Sequence, residues 1–184
     1  MSGGSVPAGD DPFAAVDDIL SGWRQVLKTD YEAYRNHVKR VILFVQWLDT
    51  NHAVATTGLV VAAVFHDLGI WTDGTLDYLD PSVRLARQYW VENGLAEESF
   101  EDVAAMIAWH HKLTRCDQSI ACELFRRADL VDLTHGVIRF GLPRVRVQRA
   151  YALFPDCGFH RFLAGALSRY AIRHPWKPLP MVRI

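Results

Sequence analysis

The feature that most constrains this chain is the segment Ala53–Phe65, apolar almost all round and closed by the doublet His66-Asp67. A helix with no polar face belongs at the centre of a bundle, covered on every side by other helices. The segment is too short to span a bilayer, and Thr56, Thr57 and Gly58 interrupt it. Other elements must therefore supply its cover. The doublet at its end is then buried as well. An ionised carboxylate placed there is costly unless it is paired or bound to a metal.

The rest of the chain reads as helices joined by short loops, which predicts an all-α fold in a single bundle. Asp11-Pro12 resembles an N-cap followed by proline at the first helical position, and Phe13, Val16, Leu20, Trp23 and Leu27 recur at helical spacing. Thr29 and Glu32 have capping-box spacing ahead of the stripe Tyr34, Val38, Val41, Val45 and Leu48, with His37 beside it. The central helix is expected over about 53–68, with Gly69 as its C-cap. Asp80-Pro81 opens a helix that Asn93-Gly94 ends, with Asp80 as its N-cap. Ser99 opens the next, carrying Val103, Met106, Ile107 and His110 on one face. A helix over about 118–133 carries Asp129, and two more end near Phe154 and Ile172. Strand-like alternation is weak, and only Val137–Leu142 could be argued as a strand. Residues 1–10 read as a disordered Gly/Ser/Pro/Asp tail, 11–184 as one domain, and His174–Pro180 as a proline-rich extended segment.

Function classes narrow further on charge and cysteine. The formal net charge of −1 gives no global field for nucleic acid or a membrane surface. Arg139, Arg144, Arg146 and Arg149 do not share a helical face, so they read as solvated surface. Cys116, Cys122 and Cys157 are odd in number with no CxxC pair, which argues against a disulfide framework or a thiolate zinc site. No signal peptide is visible, and a reducing cytoplasm is the expected compartment. A small-molecule substrate is the expected partner, with no nucleic acid or membrane. A homo-oligomer is left open, because the face Phe13–Leu27 could cover a neighbouring subunit or close the chain's own core.

Imidazole and carboxylate together are natural ligands of a borderline divalent cation. Adjacent helical residues point about 100° apart, so His66 and Asp67 need a favourable backbone site to clasp one ion. Further ligands must come from other helices, and His37 and Asp129 each interrupt an otherwise apolar face. Taken singly, each of these residues is better read as a hydrogen-bonded core group or an ion-pair partner.

Taken together, His37 in "YRNHVKRV", His66-Asp67 in "AAVFHDLGIW" and Asp129 in "FRRADLVD" resemble the HD-domain metal-dependent phosphohydrolase superfamily. The likeness covers about Tyr31–His135. It implies an HD-type helical bundle and a divalent ion held by those side chains, with Mn, Fe, Co, Zn and Mg not distinguished. It also implies a metal-dependent hydrolase, a phosphohydrolase acting on a small phosphorylated or nucleotide-like substrate. Some similar proteins carry additional histidines and bind two metals, which His110-His111 here leaves open. A di-iron oxygenase or a non-catalytic small-ligand sensor are the alternatives. His110 or His111 would orient substrate or protonate the leaving group. Lys112 and Arg115 are candidates for substrate phosphate. Branches of the family often place Glu three residues after the doublet Asp, where this chain has Ile70. Asp73 or Asp77 would then be the candidate general base, Asp73 also reading as a turn residue before Gly74.

Overall fold

The computed structural model describes residues 11–182. It is all-helical, with no strand among the described residues. Helix α1 (Pro12–Ser21) begins where expected, with the Asp11 carboxylate accepting from the Phe13 amide at 2.9 Å. A short α2 (Arg24–Leu27) leads into the long α3 (Tyr31–Leu48). The Thr29–Glu32 capping box does not form. Lys28–Asp30 is a 3₁₀ turn, Glu32 pairs with Arg35, and Asp30 accepts from the Trp71 indole at 3.0 Å.

The central apolar helix α4 is Thr56–Phe65, shorter than expected at both ends. At its start the Asp49 carboxylate holds the Ala53 and Val54 amides at 3.0 and 2.9 Å, which keeps that stretch out of the helix. At its end the chain turns through His66-Asp67-Leu68 into α5 (Gly69–Thr72). Gly69 is thus the first residue of α5 and not a C-cap. A Cβ there would lie 2.7 Å from the Tyr78 carbonyl and 2.9 Å from Ser82 Oγ, so the close approach of the next helix requires glycine.

Helix α6 (Leu79–Glu92) starts one residue before Asp80, which places Asp80 and Pro81 in its first turn rather than Asp80 at the cap. Then follow α7 (Phe100–Trp109), α8 (Ile120–Leu133, capped by Ser119), α9 (Arg144–Leu153) and α10 (Phe159–Arg173). The stretch 137–142 is turn and coil, not strand. The proposed tail over residues 1–10 lies outside the described residues.

The core gathers around α4, whose residues from Gly58 to Phe65 are all buried. Helices α1, α3, α6 and α7 pack on it, while α3 also lies along α8. The α1 face closes the chain's own core: Val16 and Leu20 are fully buried, and the Trp23 and Phe65 rings meet edge-on at 6.0 Å. Cys116 and Cys122 form a disulfide across the loop before α8, contrary to the expectation from cysteine number. The loop geometry brings the pair together, and two cysteines suffice for one bridge while Cys157 stays free. No helix of the described residues is long and apolar enough to cross a membrane.

Candidate metal centre

Helix ends and one buried ion pair set the orientation of the histidines. His66 lies just past the end of α4, where the last carbonyls have no intrahelical partner. Its Nδ1 donates to the Ala63 carbonyl at 2.7 Å. His110 repeats the device past the end of α7, with Nδ1 donating to the Ile107 carbonyl at 2.7 Å. In both rings the Nδ1 proton is committed to backbone, so Nε2 is the atom turned toward the site. His37, on α3, meets the Asp132 carboxylate of α8 through Nδ1 at 2.7 Å. Asp132 also takes two hydrogen bonds from Arg40, one turn along from His37, at 2.6 and 2.9 Å. Burial would raise the Asp132 carboxyl, but His37 and Arg40 outweigh it and hold the group well below its usual range. An ionised Asp132 fixes the His37 proton on Nδ1 and again leaves Nε2 for the site. Phe159 stacks on the His37 ring at 4.0 Å between centroids and limits its rotation.

These constraints bring His37 Nε2 and His66 Nε2 to 3.0 Å from each other. Burial, the largest influence, drives His66 down to about 3, so its Nε2 carries a lone pair at neutral pH. The carboxylates close around the same point. Asp67 Oδ2 lies 3.4 Å from His66 Nε2 and 3.8 Å from His37 Nε2, and Asp129 Oδ1 lies 3.8 and 3.7 Å from the same two atoms. Ligand atoms about 2.1 Å from one tetrahedral ion would stand about 3.4 Å apart. Only a cation among them, whether a proton on one ring or a metal ion, satisfies the two facing imidazole nitrogens. The donor set and its spacing therefore fit a divalent ion. Such ions could be held by the buried groups His37–His66–Asp129 or His66–Asp67–His110, or by His110–His111–Asp129, in which His111 is half-buried.

The electrostatics follow from burial. Burial pushes the Asp129 carboxyl up to about 6; the His110 and His37 imidazoles oppose that, while the Asp67 and Asp132 charges add to it. For Asp67, burial acts upward but the surrounding His66, His110 and His37 win and hold it well below the usual range. His110 is raised: burial lowers it, yet Asp67 and Asp129 more than compensate. Asp67 Oδ1 and His110 Nε2 lie 3.3 Å apart, buried and without a hydrogen bond of good geometry. His111 is held well below its usual value by burial and then by His110, and it meets the Tyr78 hydroxyl at 2.7 Å through Nε2.

A cavity of about 240 Å³ opens on the cluster. His37, Asp67, Tyr78, His111 and Asp129 form its polar end. Its walls are Ile70, Leu76 and Leu133 with Phe159, Leu163 and Leu167 of α10, and Leu179, Met181 and Val182 complete it.

The structure thus brings together His37, His66, Asp67, Asp129, His110 and His111. It does not bring in Asp73, which sits at the exposed end of α5 with Thr72 Oγ1 at 2.7 Å and Arg84 at 3.6 Å. Asp77 is likewise outward, 3.8 Å from Lys177. Lys112 and Arg115 do not line the cavity. The Lys112 ammonium is 5.7 Å from the Trp109 ring centre, and Arg115 pairs with Asp117 in solvent. Sequence reasoning missed Arg40, Asp132, Tyr78 and Phe159. Asp132 was within reach of it, being three residues after Asp129 on one helix, as Arg40 is three after His37. In comparisons with known proteins, the chain matches no family model, no curated protein and no solved structure.

Proposed function

We propose that this chain is a metal-dependent hydrolase of the HD-domain type, with a divalent ion held by His37, His66, Asp67 and Asp129. The observation that carries the reading is the pair of facing Nε2 atoms at 3.0 Å, with both Nδ1 atoms turned to acceptors and two buried carboxylates alongside. When bound, a divalent ion supplies an acidified water and a Lewis acid for a substrate oxygen.

The chain's own residues do the rest. Asp132, pinned by Arg40, keeps His37 in one tautomer and one orientation. Tyr78 keeps its proton, because burial and then the Asp67 charge hold its hydroxyl well above the usual range. Its hydroxyl bridges His111 Nε2, at 2.7 Å, and the Asp67 carboxylate, which holds the His111 ring at the cavity's polar end. A neutral His111 so placed is a polar contact for a substrate head at the metal end. The apolar walls limit water around the reacting group.

A second ion has candidate ligands in the groups His66–Asp67–His110 and His110–His111–Asp129, where Asp67 Oδ1 and His110 Nε2 face each other at 3.3 Å. Two-ion occupancy would also be compatible with di-iron oxygenase chemistry. Elemental analysis of protein purified without chelator, with turnover measured in air and under argon, tests the reading. Stoichiometric metal and oxygen-independent hydrolysis are expected. Full metal content in Asp129→Ala would defeat the proposed ligand set, and oxygen-dependent turnover would move the reading to the oxygenase.

A further inference from the structure

Resting on the metal-hydrolase reading, we propose that the substrate is a small uncharged acyl compound, a carboxamide or carboxylic ester with an apolar body, rather than a phosphate ester. Charge around the cavity is the first ground. Metal binding takes Asp67 and Asp129 as carboxylates and the histidines as neutral rings. With the single ion of the proposed ligand set, one divalent cation and two carboxylates sum to zero. Asp132 is already matched by Arg40 through two hydrogen bonds. Among the described residues no lysine or arginine lines the cavity. A phosphate monoester would bring about two negative charges against walls that, among the described residues, carry no cation to offset their loss of water. A neutral head at the metal end has no such cost.

Shape is the second ground. A cavity of about 150 Å³ lined by aliphatic and aromatic side chains accommodates benzene. The present one, at about 240 Å³, has room for a ring or a short branched chain plus one polar head. Leu163 and Leu167 of α10, with Leu76 and Met181, offer that body only apolar contacts. Lys28, Arg169 and Arg173 line a separate groove of about 540 Å³ that shares Ile70 and Leu76 with the cavity but contains none of His37, Asp67, His111 or Asp129.

The reaction balances without another reactant. The oxygen of water bonds to the acyl carbon, and the C–N or C–O bond breaks. One proton of water leaves on the amine or alcohol, and the acid remains. At neutral pH the acid ionises, and walls that carry no cation among the described residues then favour its release.

Benzamide and phenyl phosphate share a ring and differ in the charge of the head, so they are suitable probes. Calorimetric titration of metal-loaded protein should show benzamide binding, and phenyl phosphate should fail to displace it even at tenfold excess. Leu163→Trp, which narrows the cavity from a half-buried position on α10, should weaken benzamide at least fivefold. Leu167→Arg should lower the preference for benzamide over phenyl phosphate at least tenfold by adding the missing cation. Absence of benzamide binding, its displacement by phenyl phosphate, or unchanged affinity in both variants would overturn the proposal. The two readings fail separately. A protein that binds benzamide in the cavity but takes up no metal sinks the hydrolase reading. A metal-loaded protein that exchanges benzamide for phenyl phosphate sinks only the substrate class.

Discussion

Asp132 illustrates how much one residue outside the proposed ligand set controls. Its carboxylate is completely buried, receives Arg40 and orients His37, while its carbonyl accepts from the Tyr151 hydroxyl at 3.0 Å. Asp132→Asn keeps the volume but removes the charge that fixes the His37 tautomer. Metal affinity should fall about 10–100-fold, the range seen when such supporting partners are lost. A competition titration with a chromophoric chelator reads this directly. A lower melting temperature with unchanged metal affinity would make Asp132 only a partner for Arg40. Glu123 gives a residue-scale prediction in pH. Burial opposes its ionisation, but Arg126, the Cys116 amide and Arg127 draw its carboxyl from 4.5 down to about 2. A folded-state value below the unfolded one stabilises the fold above about pH 4.5 and loses that contribution as pH falls toward 2. Glu123→Gln should therefore melt below wild type at pH 7, and the gap should close between about pH 5 and pH 2. A gap independent of pH would remove the ionic contribution.

At the scale of elements, the decisive feature is that α4 stops at Phe65. Had the helix run on, His66 and Asp67 would diverge by about 100°. The turn into α5 lets both reach one point while His66 Nδ1 takes up a carbonyl that the helix end leaves free. That turn depends on α6 pressing against Gly69, whose amide donates to Ser82 Oγ at 3.1 Å. Gly69→Ala would push its methyl into the Tyr78 carbonyl and Ser82 Oγ. Overpacking of this kind costs about 1–3 kcal/mol. Chemical denaturation should show that loss, and because Tyr78 lies at the cavity's polar end, benzamide affinity should fall with it. A Gly69→Ala protein of wild-type stability would mean that α5 and α6 separate freely.

At the scale of the whole molecule, the proposed ion joins α3, the turn after α4 and α8. It ties residues 37 and 129, distant in sequence, to the central helix. Binding to the native state alone stabilises by about 4 kcal/mol when free metal is about a thousand times its dissociation constant. For a chain of this size that corresponds to a shift of about 8–16 °C in melting temperature. Chelator should produce such a fall in the wild type, and Asp67→Ala should melt near the chelated value with little further response to chelator. An equal chelator effect in both proteins would place the stabilising metal elsewhere.

The alternation of apolar and polar residues at helical period, together with an all-apolar segment that has to be central, determined the all-helical class and the burial of His66-Asp67. Local spacing is enough for that, because helical hydrogen bonds close within a few residues. The same pattern marked His37, Asp129 and His110 as polar groups on apolar faces, which is why those positions were legible. Other properties depend on groups far apart in the chain. The Thr29–Glu32 capping box lost to Arg35 and Trp71, and Gly69 became the start of a helix because Tyr78 and Ser82 lie against it. The sequence placed Lys112 and Arg115 next to His111, but the bend after α7 leaves them outside the cavity. Which nitrogen each histidine presents, and the absence of lysine and arginine from the cavity wall among the described residues, were decided only by tertiary packing. Tautomer and local charge are set by atoms about 3 Å away in space, and most of those atoms belong to helices that sequence spacing cannot relate.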